Sequence, residues 1–455
     1  MNPQEENMAE IYVNAQNATG SIKPLNGLCN APQKCTLKYW KRAGVPYTRL
    51  HDSFLGVWHV VDVSAVFPDF SKDENDPASY DFVMTDRYIS KVLESGAGII
   101  YRLGETVYDM PDVTKITAPP ASYEKWGRIC AHIVKHYNEG WNGGFQYGIK
   151  YWEIWNEPDS DIDDDCMLKG TFKAPAREFY RFYAEASHTI KQLCPDVQVG
   201  GYAPCAVNDP GRYEFFLGFL DYMDAHPHAF DFMSFHAYAD SADKLKLRLK
   251  KIDDALRAHG LEKLPLIVTE VGYFWENRMW AELARDDNEY RINEMVEDMR
   301  SPRAAAFYAC ALCIFQNSNV FAANFYRTDY MTMWENLFTE AGSPRKPYWA
   351  LEMFRRLRDA GDALQCDCSA DGVYALAAGS VNSCVLYISQ YTGIARRYSF
   401  QADGLKGAYH MRIRALDDVR NDEILEERDV SADGALKSEL YLRPCSVYVV
   451  EIELQ

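Results

Sequence analysis

KYWEIWNEPD, residues 150–159, reads as a short apolar strand that stops at an acidic tip. Tyr151, Trp152, Ile154 and Trp155 favour a strand, and Asn156-Glu157-Pro158 ends it. LPLIVTEVGY, residues 264–273, has the same form and carries Glu270 near its end. Working outward from these two, six further apolar runs read as strands: Lys23–Cys29, Tyr47–His51, Gly98–Leu103, Val197–Tyr202, Phe230–His236 and Val320–Tyr326. Amphipathic segments lie between them. They predict helices at 36–43, 85–95, 123–137, 174–193, 213–223, 242–259, 302–316 and 348–358. Eight strand–helix units predict a parallel sheet, and eight is the number that closes a (β/α)8 barrel. The alternative, an open doubly wound sheet, wants a Gly-rich phosphate turn after an early strand. PLNGLCNAP, residues 24–32, does not supply one.

After about residue 360 the period changes from helical to alternating. VYALAAG, SCVLYISQY, RRYSFQA, YHMRIRAL and CSVYVVEIEL read as strands, with SADG (369–372), QADG (401–404) and SADG (431–434) as turns. This predicts a C-terminal antiparallel β-sandwich. The expected organisation is an N-terminal segment 1–20, a barrel at 21–358 and the sandwich at 359–455. EIYVNA (10–15) has no barrel role and is expected to add a strand to the sandwich.

Charge and composition narrow the function. Lys plus Arg number 48 and Asp plus Glu 66, a net charge of −18. Such a surface repels phosphate backbones and anionic membranes, so nucleic acid and membrane are excluded as partners. MNPQEENMAE lacks the basic and apolar regions of a secretory signal, and no apolar run approaches the length of a membrane span. The twelve cysteines are scattered. Cys310 and Cys313 lie in an apolar helical stretch, Cys366 and Cys368 in a strand, and no second pair completes a zinc pattern. We expect reduced thiols, a cytoplasmic protein, no metal and no cofactor. His226 and His228 precede a strand and would sit at the wrong end of a barrel for a metal site. The oligomeric state is left open, a homo-oligomer included.

In such a barrel the active site lies at the C-terminal ends of the strands. Glu157 and Glu270 are thereby brought to one face. A lone Glu at a strand end reads as a structural ion pair. Two carboxylates across a scissile bond are what glycoside hydrolysis needs, one protonating the leaving oxygen and the other attacking or activating water. Asn156 precedes the acid, where its amide can hold a sugar 2-hydroxyl or cap the strand. Arg49 ends the second strand. Beside Glu270 it would keep that carboxyl ionised; the alternative is an ion pair with Glu153, which lies deeper on the same face as Glu157. Arg102 is a second candidate partner for Glu153. His51, His236 and Tyr238 lie just past strand ends, where they read as sugar contacts. Tyr273 follows Glu270 by three residues and is a candidate to orient it. Glu105 is placed either to bind a sugar hydroxyl or to cap a helix. Past the eighth strand, Arg327, Asp329 and Trp334 offer charge and a stacking plane, with Glu335 behind Asp329.

These stretches resemble glycoside hydrolases of clan A, and more narrowly family 39, which contains β-xylosidases and α-L-iduronidases. The resemblance rests on PLNG, TRLHDS, FPDF…DPASYDF, YRLGET, YWEIWNEPD, DFMSFHAY, LIVTEVGY and SPRKPYWALEMFRRL, spanning about residues 20–358. It implies a retaining enzyme with Glu157 as acid/base and Glu270 as nucleophile. It also implies a carboxylate for the distal side of the sugar, with Asp329 the candidate, and a small glycoside or oligosaccharide as substrate. A β-xyloside or arabinoside leads; glucosides, galactosides and iduronides are served by the same glutamates. DSDIDDDCMLKGTFKA (159–174) departs from the family pattern and carries five aspartates. An acidic loop there disfavours uronic acids, and its spacing is not that of an EF-hand calcium loop. A rival from another class is a sugar-binding protein that kept the fold and lost catalysis.

Overall fold

The computed structural model describes residues 9–56, 58–106, 117–163, 165–275, 285, 289–328 and 337–455. Asp329, Trp334 and Glu335 lie outside the described residues. The strands in chain order are β1 (Ile11–Ser21), β2 (Gly27–Cys29), β3 (Tyr47–Leu50), β4 (Phe54–Leu55), β5 (Trp58–His59), β6 (Gly98–Leu103), β7 (Tyr151–Ile154), β8 (Gln198–Tyr202), β9 (Phe232–Ala239), β10 (Leu266–Tyr273) and β11 (Val320–Phe325). Eight of them, β2, β3 and β6 to β11, close into a barrel in which every pairing is parallel. β4 and β5 form a small hairpin on the active-face rim, inside what reads as a loop in sequence.

Inward-facing side chains fill the barrel in layers. Ile100, Tyr151, Phe232, Ile267 and Ala322 make an apolar layer, with Tyr47 and Phe321 packed against it. Two residues further along their strands, Arg49, Arg102 and Glu153 make a charged layer, each fully buried. The period-two rule carries the chain from one layer to the next. β10 breaks that rule where it matters. Ile267 is inward, so a regular strand would send Glu270 outward. The pairings with β9 and β11 both slip here, between Val268 and Glu270 on one side and between Val268 and Val271 on the other. The irregularity turns Glu270 into the barrel, a known use of β-bulges beside functional sites.

The remaining strands are β12 (Asp362–Cys368), β13 (Val373–Gly379), β14 (Ser383–Gln390), β15 (Arg396–Leu416), β16 (Glu423–Leu442) and β17 (Ser446–Leu454). They pair in the order β1-β12-β13-β14-β17-β15-β16. Ile11–Asn14 of β1 also pairs with Phe400–Asp403 of β15, so the sheet rolls back on itself around its own core. QADG and the second SADG are not chain reversals. They face one another across the β15–β16 ribbon, with Asp403 opposite Ala435 and Lys406 opposite Asp433. Arg428 Nη2 lies 2.7 Å from Ser438 Oγ, ten residues away on the same strand. An extended strand would hold them about 33 Å apart. The ribbon therefore folds sharply at these glycines while staying paired. One half of β15 joins β1, and the other joins β17.

Residues of β13, β14 and β17 alternate between two cores. Val385, Tyr387, Val447 and Val449 pack with the barrel helices; Leu386, Ile388, Tyr448 and Val450 pack inside the rolled sheet. The helix Pro302–Gln316 lies between barrel and sheet. Its run Ala304–Cys313 is buried throughout, which explains a helix that is apolar all round. Ser301 caps it, accepting from the amides of Arg303 and Ala304. The helix Glu289–Asp298, just before it, is not among the helices that the sequence predicts.

The corner yields a test. Gly404 has φ +86°, and a Cβ there would meet Gln16 Cγ at 2.6 Å. Gly404→Val puts a β-branched residue into the left-handed region and should cost roughly 1–3 kcal/mol. Urea unfolding followed by fluorescence measures it; an unchanged midpoint would mean that the corner does not need its glycine.

Candidate active site

At the C-terminal end of the barrel the charged layer opens into a compact polar array. Its centre is Arg49, with no surface exposed. Nε donates to Glu153 Oε2, Nη1 to Glu270 Oε1 and Nη2 to Asn156 Oδ1, each at 2.7 Å. Both partners expected for Arg49 are thus engaged at once. With no exposed surface it does not reach a sugar and acts through the carboxylates. Because a guanidinium only donates, Asn156 must turn its oxygen to Arg49, which leaves its NH2 as the donor.

Glu270 is 5% exposed and takes a second hydrogen bond, from the Tyr238 hydroxyl to Oε2. Burial pushes its carboxyl above the usual range, while His236, Arg49 and Tyr238 pull it back. The net direction is upward, opposite to what Arg49 alone would give. Glu157 is also raised, chiefly by burial. Its Oε1 lies 2.6 Å from His236 Nδ1, and His236 Nε2 lies 3.6 Å from Glu270 Oε1. Burial holds His236 down to about 4, so the ring is neutral and carries one N–H. With Glu157 protonated, its O–H donates to Nδ1 and the ring hydrogen sits on Nε2, facing Glu270. His236 is fully buried and has no surface for a sugar, so its expected substrate contact is corrected to a hydrogen bond with Glu157, its Nε2 facing Glu270 without a hydrogen bond.

Oxygens of Glu157 and Glu270 and a ring nitrogen of His236 lie within 4.8 Å of one another. Among the described residues this is the one such group of three, a closeness that spacing in the sequence does not reveal. The Arg49 guanidinium bonded into it sets the local charge against a cation. The array is built for proton exchange.

Comparison with known proteins agrees with this geometry. Residues 17–350 match the family model of glycosyl hydrolases family 39. The chain belongs to that family. The matched span contains both glutamates and ends before β12. A β-xylosidase of Geobacillus stearothermophilus is 29% identical over 133 residues, 28% of this chain and 23% of that one. The match thus spans about a quarter of that relative's length. Among solved structures, a glucosidase from Croceicoccus marinus aligns with a TM-score of 0.77 at 21% identity, covering 98% of this chain and 99% of that one. A monomeric β-xylosidase from Caulobacter crescentus aligns at 0.69 and 17%, with the same coverage. At these identities the solved structures establish the shared fold.

Other residues singled out in the sequence fall in several places. Tyr273 does not orient Glu270: its hydroxyl donates to Asp298 Oδ2 at 3.0 Å. Three residues along a strand is an odd step, which puts the two on opposite faces. Glu105 accepts from Ser64 N at 3.0 Å and from the Ser64 hydroxyl, so it serves the first turn of the helix Val63–Val66. Burial, then Asp62, raises Glu105 to about 8. Arg102 pairs with Asp62 at 2.7 Å, not with Glu153. His51 is buried on the rim, kept neutral by burial and by Arg49, with Nε2 3.3 Å from Asp52 Oδ1. Asp52 in turn accepts from the Tyr326 hydroxyl at 3.1 Å.

The motif is braced by a residue that the sequence does not announce. Trp155 and Glu157 have φ of +70° and +45°. Thr171 lies 2.7 Å from the Asn156 carbonyl and 2.9 Å from the Glu157 carbonyl, and accepts from Trp155 Nε1 at 3.2 Å. The acidic loop therefore reaches back to hold the motif. Within it, Asp163 Oδ1 accepts from the amides of Asp165 and Met167.

Arg49→Ala should strand two buried carboxylates and cost roughly 3–5 kcal/mol near neutral pH, besides lowering turnover. A carboxyl buried without its cation has a folded pKa above its unfolded one. Its cost therefore appears as pH rises and vanishes below the unfolded value. Thermal unfolding of variant and parent from pH 4 to 8 should show a gap that widens with pH; a constant gap would assign the loss to packing.

Proposed function

We propose that this chain is a retaining exo-glycosidase acting on a small glycoside by double displacement. The observation that carries the reading is the approach of Glu157 to Glu270, oxygen to oxygen within 4.8 Å. Retaining enzymes hold their carboxyl groups about 5–5.5 Å apart, inverting ones about 6.5–9.5 Å, since an inverting site must admit a water between. Glu270 attacks the anomeric carbon and the glycosidic C–O bond breaks. Glu157 gives its proton to the leaving oxygen. Glu157, now a carboxylate, takes a proton from water as water displaces Glu270 from the sugar. Two inversions leave the configuration unchanged.

The roles follow from the donors. Glu270 receives hydrogen bonds from Arg49 and Tyr238, which favour its ionised form. Glu157 faces a neutral imidazole and keeps the proton. The Asn156 NH2 is aimed to bind the sugar 2-hydroxyl, with Tyr238, Asp329 and Trp334 as further contacts. A β-xyloside or arabinoside is our leading substrate, supported by the family and by the β-xylosidases it resembles. We take 21–358 as the catalytic unit, with 1–20 and 359–455 forming the second. No described helix is long and apolar enough to cross a membrane. All twelve cysteines are free, which supports a cytoplasmic setting.

Glu270→Ala should be inactive on every glycoside in a panel of nitrophenyl xyloside, arabinoside, glucoside and galactoside. Glu157→Ala should hydrolyse a dinitrophenyl glycoside with a burst, because that leaving group needs no proton while the second step has lost its base. Azide should restore turnover and release a glycosyl azide with the substrate's own configuration. Rescue at Glu270→Ala instead, or an azide of opposite configuration, would reverse the two roles. No turnover by the parent on any sugar would favour a binding protein.

A further inference from the structure

Two residues past Glu157 lies a carboxyl group that the mechanism above does not use. Asp159 has no exposed surface. Its Oδ1 accepts from Cys205 N at 3.1 Å, and its Oδ2 is buried with no hydrogen-bond partner. The segment it grips, 203–205, follows β8 and touches the site at two more points. Glu157 N donates to Ala203 O at 3.1 Å, and His236 N donates to Pro204 O at 3.2 Å. Arg212, on the helix Pro210–Ala225, donates to the Asp159 carbonyl at 3.1 Å and the Ser160 carbonyl at 2.8 Å. One short segment thus fixes the backbones of both the acid/base and the imidazole bonded to it. Asp159 is the side chain that locks that segment to the motif.

We propose that Asp159 is a positioning residue for the general acid, holding residues 203–205 against Glu157. The proposal rests on the reading of Glu157 as acid/base. Asp159 faces Glu157, Cys205, Arg212, Tyr180 and Tyr202. Glu157 faces His236, Cys205, Arg49, Arg212 and Arg248. Burial, then the Glu157 charge, pushes Asp159 up to about 7, with the Cys205 amide and Arg212 opposing. It therefore gains charge within the working range. Since the Glu157 charge is one of the causes, Glu157 ionises first, and Asp159 serves the acid through its grip on residues 203–205.

Asn at 159 keeps the acceptor for Cys205 N and removes the charge; Ala removes both. For glycosides with poor leaving groups, Asp159→Ala should lower kcat/KM by roughly tenfold or more, within the span that general acids supply. Release of dinitrophenol, which needs no acid, should change less than about threefold. Asp159→Asn should recover most of that loss. Equal losses for both leaving groups, or no recovery in Asp159→Asn, would reduce Asp159 to a structural residue and overturn the proposal. Glu157→Ala measured alongside separates the failures: if it too ignores leaving-group acidity, the acid/base reading has failed first.

Discussion

The site depends on one planar cation with no access to water. Arg49 presents its donors in a rigid fork, and three of its nitrogens are taken at 2.7 Å by acceptors from two other strands, Glu153 and Asn156 in and after β7 and Glu270 in β10. A flexible ammonium would satisfy the charges without fixing their geometry; a guanidinium fixes both. Removing it would leave buried negative charge, and no rearrangement inside a closed barrel can bring in another cation cheaply. Glu153 is part of that constraint. By holding Nε it prevents the fork from turning, so that Nη1 and Nη2 stay aimed at Glu270 and at Asn156.

Around that fork the two glutamates become unequal. Both are pushed upward by burial. Glu270 sits against Arg49 and a phenol that donates to it, while Glu157 meets an imidazole that burial has made neutral. The donors around Glu270 favour its ionised form more than the imidazole beside Glu157 favours that of Glu157. His236 links the pair without adding charge. Since its backbone is bonded on one side to Pro204 and on the other to Arg248, its ring has little freedom to leave that place.

The barrel was legible because its strands are short, apolar and separated by helices with a clear stripe, and because residue parity carries Arg49 and Glu153 to one layer. The same parity shows why other features were not legible. Glu270 is inward only because β10 slips after Val268, and nothing in LIVTEV marks the slip. Tyr273 could have been rejected by counting. Thr171 and Asp159 were hidden inside a stretch whose five aspartates drew attention to charge, whereas its contribution is a hydroxyl on two carbonyls and one buried carboxyl. QADG and SADG carry turn chemistry, and they do bend the chain. The local code cannot say whether a bend reverses a strand or folds a paired ribbon, because that depends on what lies across the ladder.

Left-handed backbone at Trp155 and Glu157 costs on the order of 1–3 kcal/mol for each residue. That cost is met around the motif, not within it. Trp155 packs against Phe172 and Phe182, both with ring centroids 5.4 Å away, and its amide donates to Leu103 O at 2.7 Å. Thr171 holds the carbonyls on the far side, and Ala203 holds the Glu157 amide. Glu157, the proposed general acid, therefore emerges from backbone pinned on three sides. A carboxyl that must give a proton and then take one back gains from this.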